Sequence, residues 1–205
     1  MDPKWLDWAK KLQAIAQTGL EYANNEFDRE RYLAIRQIAI EMASEQSGVP
    51  SNVVEGLFCT DGGYATPKVD VRAAVICDGK ILMVKERSDG LWTLPGGWAD
   101  VGDSPASAVE REVREETGYE VRAAKLAAVY DRNRHGHPPM IFHAWKLFFL
   151  CELLGGTARE SHETEAVGFF DESALPPLSV GRVTAAQIAH MFEHSRHPQW
   201  STSFD

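Results

Sequence analysis

Three glutamates with the spacing of one helix face are the residues most able to do chemistry. Glu115 and Glu116 follow Glu112 by three and four positions, so on a helix they fall within an arc of roughly 100°. Carboxylates this close repel one another, and they do so more strongly where water is partly excluded. A divalent cation would offset the repulsion, since carboxylate oxygens suit Mg²⁺ or Mn²⁺. The alternative is a solvated acidic face.

The segment around these glutamates carries the start and stop signals of a helix. Ser104 can cap its beginning, and Pro105 suits the first turn because the missing N–H would be unpaired there. Gly118 can adopt the left-handed conformation that ends a helix. The neighbouring apolar stripe consists of Ala106, Val109 and Val113. We therefore expect the stripe to pack on a sheet and the carboxylates to lie at the rim between core and solvent.

Helices and a linker are predicted before this segment. Apolar residues at three-and-four spacing predict helices over residues 5–20 and 28–44. Two such helices form an antiparallel hairpin with one face still to be covered. The stretch that follows is rich in Gly, Pro, Ser and Thr, which is typical of a linker. We predict a helical extension at 1–48, a linker at 49–68 and the main domain at 69–205.

The main domain shows strand patterns on both sides of the glutamate helix. Two strands flank Asp78-Gly79, which is a strong hairpin signal. Further strands are predicted at 120–131, 140–153 and 166–171, followed by a helix at 183–194. The run at 140–153 is apolar on both faces, which predicts a central strand. The pattern indicates an α/β domain behind a small helical unit.

The glycine-rich loop and the glutamate helix together resemble the Nudix box. The family pattern is Gly, five residues, Glu, seven residues, Arg-Glu, an aliphatic, any residue, Glu-Glu, any residue, Gly and an aliphatic. Here Gly97 is followed five residues later by Asp103, and after seven more by the run from Arg111 to Tyr119. Tyr119 replaces the last aliphatic residue. Asp103 replaces a Glu and is one methylene shorter, which weakens any bracing of the loop that this carboxylate provides.

The resemblance implies a fold and an activity. The fold is α/β (α+β), a Nudix-type α/β/α sandwich with a mixed sheet, preceded by a small N-terminal helical hairpin. The activity is hydrolysis of the pyrophosphate bond of a nucleoside-diphosphate-linked substrate to a nucleoside monophosphate and a phosphorylated product, with Mg²⁺ or Mn²⁺ as cofactor. A metal suits this reaction because a charged pyrophosphate repels hydroxide.

Positions that match the family motif receive roles from the resemblance. Glu112, Glu115, Glu116 and the backbone carbonyl of Gly97 would bind the metal. One of the glutamates, for which we take Glu115, or a glutamate from another loop would orient or deprotonate the attacking water. Arg111 would hold the loop against the helix through a carboxylate.

Two later segments supply further candidates. Glu163 and Glu165 enter a late strand, and many Nudix proteins place another ligand or base just before this strand. Exposed loop charge is the alternative reading of both. Arg132 and Arg134 belong to a His-containing loop that we interpret as solvated and able to touch substrate phosphate. Metal binding by its His-x-His pair is the less favoured alternative.

The N-terminal hairpin and the segment after it resemble a bacterial Nudix subgroup with a helical extension. That subgroup includes ADP-ribose and CDP-choline pyrophosphatases, and its extension serves dimerisation. A homodimer is therefore expected, consistent with Trp5 and Trp8 needing burial. The alternative is that the helices simply pack on their own domain.

Two other functions stay open. One is a house-cleaning pyrophosphatase for nucleoside triphosphates, and the other is a non-catalytic Nudix module that senses a nucleotide, its helices contacting a partner or DNA. The three glutamates argue against the second. The proline that ADP-ribose enzymes commonly carry about sixteen residues beyond the box is replaced by Arg134, and the SQPWPFPxS motif of NADH enzymes is absent, so these marks do not name the substrate.

Composition limits the partners and the compartment. The 30 acidic and 21 basic residues give a net charge of −9, which disfavours nucleic acid but permits a small nucleotide substrate if cations screen the site. No apolar run of about 18 residues predicts a membrane span. The amphipathic start lacks the apolar core of a secretory signal. Three cysteines without a CxxC spacing indicate neither disulfides nor zinc. We expect a cytoplasmic protein.

Overall fold

The chain divides into two compact units in the computed structural model, which describes residues 2–205. The first unit runs to Pro67 and also includes Pro139–His143. The second comprises Lys68–Pro138 and Ala144–Asp205. Among the helices of residues 2–205, none combines the length and apolar character that crossing a membrane requires.

Helices make up the first unit. Helix α1 spans Lys4–Tyr22, α2 spans Glu26–Ser47 and α3 spans Ser51–Phe58. Their shared core contains Ala9, Ala39, Ile40, Ala43, Val54 and Phe58. The small alanines let α1 and α2 approach closely, and the buried amide of Gln13 donates a hydrogen bond to the Phe58 carbonyl at 2.7 Å. That bond ties α1 to the end of α3.

Helix α3 lies within residues 49–68, for which the sequence predicts a linker. Pro50 directly precedes the first turn, where a residue without an N–H costs nothing. Val54 and Phe58 lie four residues apart and are buried, so tertiary packing stabilises a helix that the surrounding Gly, Pro and Ser obscure in the sequence. The predicted hairpin is therefore part of a three-helix arrangement within residues 2–67. The domain boundaries at 1–48, 49–68 and 69–205 stay predictions.

Helix α2 begins two residues before the expected start at Asp28. Asn25 is its N-cap, and the Asn25 side-chain oxygen accepts the Asp28 N–H at 2.9 Å. Asn is as favourable an N-cap as Asp, so the helix begins at this earlier cap and Asp28 lies in its first turn. Trp5, expected to be exposed, packs against the helical core, whereas Trp8 is exposed.

A mixed sheet of seven strands forms the centre of the second unit, as described for residues 68–205. The strands are β1 (Lys68–Cys77), β2 (Lys80–Glu86), β3 (Trp92–Thr93), β4 (Tyr119–Asp131), β5 (Ala144–Gly156), β6 (Thr164–Asp171) and β7 (Ser203–Phe204). Their order is β3-β2-β1-β5-β4-β7, with β6 paired to β2. The pair β1–β5 is parallel and β4–β5 is antiparallel. Strand β5 is therefore central, as predicted, although it begins at Ala144 and not at Met140.

Two helices cover the sheet, α4 (Pro105–Thr117) and α5 (Ala185–Arg196). Residues of β1 alternate between two cores, since Val71 and Ala73 pack with α4 whereas Ala74 packs with α5. Successive side chains of a strand point to opposite faces. The helices therefore lie on opposite faces, and the predicted α/β/α sandwich is confirmed.

Local sequence signals for the hairpin and for α4 are also confirmed. Asp78 and Gly79 both have positive φ, 49° and 75°, as a two-residue hairpin turn requires. The Ser104 hydroxyl accepts the Ser107 N–H, Pro105 occupies the first turn, and Gly118 ends α4 with φ of 76°. Gly118 also lies against another segment, because a Cβ there would be 2.6 Å from the Thr157 carbonyl oxygen.

We expect Gly118→Ala to destabilise the protein more than Gly79→Ala. The two glycines have nearly the same φ, 76° and 75°, but a Cβ on Gly79 would meet nothing within 4 Å. Positive φ alone should cost Gly79→Ala about 1–2 kcal/mol, and the contact with Thr157 should add at least about 1 kcal/mol to Gly118→Ala. Urea unfolding measures both, with Gly181→Ala as the neutral control. Equal losses at the two positions would contradict the close contact.

Candidate active site

The loop between β3 and α4 runs alongside β1 and brings its backbone to the carboxylates of α4. Val71 N–H donates to the Gly97 carbonyl at 2.8 Å, and Ala73 N–H donates to the Pro95 carbonyl at 2.9 Å. Gly96 lies between these bonds with φ of 139°, and a Cβ there would be 2.0 Å from the Val71 carbonyl oxygen. Only glycine fits this position.

Glu116 is a buried carboxylate beneath this loop. It is 5% exposed, and its Oε2 accepts the Gly96 N–H at 2.9 Å. Burial raises its pKa to about 8, the Arg72 charge and the Gly96 N–H oppose the shift, and the charges of Glu112 and Glu86 add to it. Without a cation, Glu116 therefore keeps its proton at neutral pH, and a bound cation would displace that proton.

Glu112 lies next to Gly97, so the loop and the helix meet at two carboxylates. A Cβ on Gly97 would be 3.0 Å from the Glu112 Oε2. Burial raises the pKa of Glu112, and the charge of Arg111 partly offsets the shift. The Gly97 carbonyl, expected as a metal ligand, accepts the Val71 N–H and keeps a second lone pair for an ion.

Arg111 is the centre of the charge network on α4. Its Nε donates to Asp103 at 3.0 Å, and its Nη1 donates to Glu112 at 2.9 Å and to Glu115 at 3.1 Å. Its Nη2 lies 3.2 Å from an oxygen of Asp100. Burial acts to lower the pKa of Arg111, but the hydrogen bonds and charges of its carboxylate partners raise it on balance. Asp103 thus reaches Arg111 despite being shorter than the Glu of the motif.

The three glutamates of α4 are brought together but are not arranged around one point. Glu115 is exposed at the rim, and Arg111 binds both it and Glu112. Within the described part of the chain, no group of three or more His, Cys, Asp or Glu side chains already surrounds a position for a metal ion. The donor set is nevertheless a set of hard carboxylate and carbonyl oxygens, which fits Mg²⁺ or Mn²⁺ once Arg111 releases Glu112 and Glu115.

The two later glutamates differ in their partners. Glu165 pairs with Lys85 at 2.6 Å, and this bond lowers the pKa of Glu165. Glu163 is exposed, with its carboxylate 3.3 Å from His162 Nε2. The hydroxyl of Thr164, between the two glutamates, donates to the Glu116 carbonyl at 2.8 Å. The start of β6 therefore lies against α4.

Arg132 and Arg134 are not brought together. Arg132 is buried and donates to the carbonyls of Pro138 at 2.8 Å and Gly181 at 3.2 Å. Arg134 is exposed, 4.0 Å from Asp131. The prediction of a solvated loop is wrong for Arg132, because backbone carbonyls of two loops satisfy its buried guanidinium.

His137 of the same loop is also buried, contrary to that prediction. Its Nδ1 lies 2.7 Å from the Val180 carbonyl oxygen, and its Nε2 lies 3.0 Å from the Gln187 amide. Burial lowers its pKa to about 4. The imidazole is therefore neutral at physiological pH, and it packs against the segment before α5.

Sequence reasoning missed a buried ionic cluster beside the site. Asp70 accepts a hydrogen bond from Arg72 Nε at 2.7 Å and pairs with the fully buried Lys146. Arg72 Nη1 also donates to the Leu94 carbonyl at 3.1 Å, just before the glycine loop. The available signal was the presence of charges inside the apolar strands "VDVRAAVIC" and "AWKLFFLC", since charges are buried only when they are paired.

Glu86 at the end of β2 was missed as well. Its carboxylate is buried and lies 3.1 Å from Arg182 Nε. Burial raises the pKa of Glu86, and the charges of Arg182 and Arg72 oppose the shift. No residue-type pattern marks it, because "KER" at a strand end reads as ordinary surface charge.

Two family models match successive parts of the chain. Residues 3–58 match a family model described as a UDP-X-like, N-terminal oligomerisation domain, and residues 67–191 match the NUDIX domain. A putative ADP-ribose pyrophosphatase, YjhB of Bacillus subtilis (strain 168), is 42% identical over 202 residues, 98% of this chain and 97% of the relative.

Two solved structures are similar along the chain. An ADP-ribose pyrophosphatase from Streptococcus suis 89-1591 is 46% identical with a TM-score of 0.64, covering 68% of this chain and 100% of that one. A UDP-X diphosphatase is 34% identical with a TM-score of 0.65, covering 98% of both chains. With its glycine loop, its Arg111-centred carboxylates and a NUDIX domain over residues 67–191, the chain belongs to the Nudix hydrolase family.

Proposed function

We propose that this Nudix hydrolase cleaves the pyrophosphate bond of a nucleoside-diphosphate-linked substrate of the ADP-ribose or CDP-choline type. The observation that carries the proposal is the set formed by Glu112, Glu115, Glu116 and Arg111 beneath the glycine loop. The names of the full-length relatives, an ADP-ribose pyrophosphatase and a UDP-X diphosphatase, support a diphosphate-linked substrate over a nucleoside triphosphate. The intact glutamates argue against a silent sensor.

A divalent metal, Mg²⁺ or Mn²⁺, is the proposed cofactor, held by Glu112, Glu115, Glu116 and the Gly97 carbonyl. When bound, it would supply a hydroxide nucleophile and neutralise the charge of the pyrophosphate. Glu116 would give up its proton as the ion binds, while its contact with the Gly96 N–H keeps the loop in place. Arg111 would release Glu112 and retain Asp103, so that the helix and the loop stay joined.

One of three glutamates, Glu115, Glu163 or Glu165, is proposed to orient or deprotonate the attacking water. Glu115 is exposed at the rim of the site and needs only to leave Arg111. Glu163 lies next to Thr164, whose hydroxyl contacts the backbone of Glu116. Glu165 would first have to leave its ion pair with Lys85 at 2.6 Å, so this contact ranks it last. General-base action requires a carboxylate within hydrogen-bond reach of the water.

The two arginines of the loop after β4 receive different roles in the proposal. Arg134 is exposed and offers its guanidinium to a substrate phosphate. Arg132 is buried between two loops and donates to the Gly181 carbonyl. It would therefore act on substrate binding by holding those loops and not by direct contact.

The helical unit is proposed to form a homodimer interface. Trp8, Ile15 and Tyr22 follow one another every seven residues along α1, and each is more than half exposed. Seven residues are nearly two helical turns, so the three side chains form one apolar stripe. The helices also match a family model described as an N-terminal oligomerisation domain. An exposed apolar stripe on such a domain supports its burial against a second copy of the chain.

A substrate panel tests the activity. With Mg²⁺, we expect product release from one member of a set that contains ADP-ribose, CDP-choline, a UDP-linked sugar, NADH and dNTPs. Glu116→Gln should lower kcat/KM by more than about 100-fold, because it removes a carboxylate from the metal site. Glu120→Gln, an exposed glutamate of β4, is the matched control. Turnover that survives Glu116→Gln would contradict the proposed site.

The buried Glu116 also predicts a pH dependence of stability without metal. Its folded pKa of about 8 lies above its ordinary value of 4.5, so the stability associated with the neutral form is complete below pH 4.5 and is lost as pH rises to 8. Between pH 5 and pH 8.5 in EDTA, the free energy of unfolding of the parent should fall relative to Glu116→Gln by at least about 2 kcal/mol. Urea unfolding measures it. A constant difference across this range would show that Glu116 is ionised in the metal-free fold.

Substitution within the apolar stripe tests the dimer. Trp8→Glu places a charge in the proposed interface and should convert the dimer to a monomer in light scattering after size-exclusion chromatography, since an unpaired buried charge opposes association. Trp8→Phe keeps an apolar ring and should remain dimeric. A Trp8→Glu protein with the parent's mass would place the interface elsewhere.

A further inference from the structure

Thr164 of β6 connects Glu86 to helix α4. Strand β2 ends at Glu86, which lies opposite Thr164 at an irregularity in the β2–β6 register. Directly opposed residues of antiparallel strands have Cα atoms about 4.5–5.5 Å apart. Thr164 is fully buried, and its hydroxyl donates to the Glu116 carbonyl at 2.8 Å. The end of β2 is therefore fixed next to the backbone of Glu116.

Burial distinguishes Glu86 from the other carboxylates at this end of β2 and β6. Its side chain is 9% exposed, against 36% for Glu165 and 61% for Glu163. A buried carboxylate is costly unless it is paired. The family resemblance pointed to Glu163 and Glu165, which are more exposed, whereas the folded chain encloses Glu86.

The partner of Glu86 is an arginine that other groups also hold. Arg182 Nε lies 3.1 Å from Glu86 Oε1, and Arg182 Nη1 lies 3.0 Å from Asp89. The hydroxyls of Ser179 and Ser88 accept from the same guanidinium at 2.9 and 3.0 Å. Two carboxylates thus share one positive charge. Arg182 would keep Asp89 and both serines if Glu86 turned away, so that movement would leave no buried guanidinium unpaired.

We propose that Glu86 is a further carboxylate of the cation site formed by Glu112 and Glu116, and that Arg182 holds Glu86 until the cation binds. The inference rests on the proposed function, since it concerns the same metal. Glu86 now pairs with Arg182 and would turn its oxygen to the cation, while Arg182 would keep its ion pair with Asp89. Because Glu86 comes from β2, the site would gain an oxygen donor from the sheet beside those of α4 and the glycine loop.

The affinity for Mn²⁺ alone tests the proposal without any substrate. Calorimetry or the EPR signal of free Mn²⁺ gives the Kd of the full-length parent and its variants. Glu86→Gln should weaken binding about 10- to 100-fold, the range found when groups around a metal are removed. Arg182→Gln should tighten binding several-fold, but in the Glu86→Gln background it should have no effect.

Asp89→Asn is the matched control, because it also removes one carboxylate from Arg182. It should weaken Mn²⁺ binding less than Glu86→Gln does, since Asp89 is not expected to meet the ion and only shares Arg182 with Glu86. If Asp89→Asn weakens binding as much as Glu86→Gln does, Glu86 acts only by holding Arg182 and the proposal is wrong. A Glu86→Gln protein that binds Mn²⁺ like the parent would also overturn it.

Two further results separate this inference from the proposed function. Unchanged Mn²⁺ affinity in Glu116→Gln would overturn the metal site itself, whereas loss in Glu116→Gln without loss in Glu86→Gln would overturn the role of Glu86 alone. If Glu86→Gln does not fold, Arg182→Gln decides the matter. Failure of Arg182→Gln to tighten binding would then show that Arg182 does not compete with the cation for Glu86.

Discussion

The close approach of the glycine loop to β1 is the constraint on which the rest of the structure depends. A Cβ on Gly96 would lie 2.0 Å from the Val71 carbonyl oxygen, so the loop can follow the strand only with glycine there. This path points the Gly96 N–H at Glu116 and places Gly97 against Glu112. Because Glu112 and Glu116 lie against this backbone, they lose water, and the pKa values of both rise.

Arginines balance the charges of these carboxylates. Arg111 joins Asp103, Glu112 and Glu115, and thereby ties the loop to the helix. Deeper in the fold, Arg72 links Asp70 to the Leu94 carbonyl, which fixes β1 to the strand that enters the glycine loop. Since each guanidinium has several donors in a fixed plane, it can bridge elements that a lysine would only neutralise. Electrostatic balance and loop position therefore depend on the same side chains.

The parts of the fold that follow from short-range rules could be predicted from the sequence, and the parts set by tertiary burial could not. Ser104, Gly118 and the Asp78-Gly79 turn act within a few residues, and their roles are confirmed. Helix α3 depends on burying Val54 and Phe58 against other helices. The Gly, Pro and Ser content of this segment therefore does not predict the helix. Likewise, the Nudix motif locates the α4 glutamates, but the pairing of Glu165 with Lys85 and the burial of Arg132 depend on strand register and loop packing, which no spacing along the chain encodes.

Glu86 and Glu112 are compensated in the same way. Each is a buried or half-buried carboxylate, and each is bound by an arginine that has other carboxylate partners, Asp103 for Arg111 and Asp89 for Arg182. A shared guanidinium compensates a carboxylate only in part, so its release costs less than the separation of an isolated buried pair. Clustered acids in an acidic chain can therefore stay folded without metal and still give up their oxygens to a cation. A cation held in this way would reverse the local charge, which is what a nucleoside diphosphate needs in order to approach a protein of net charge −9.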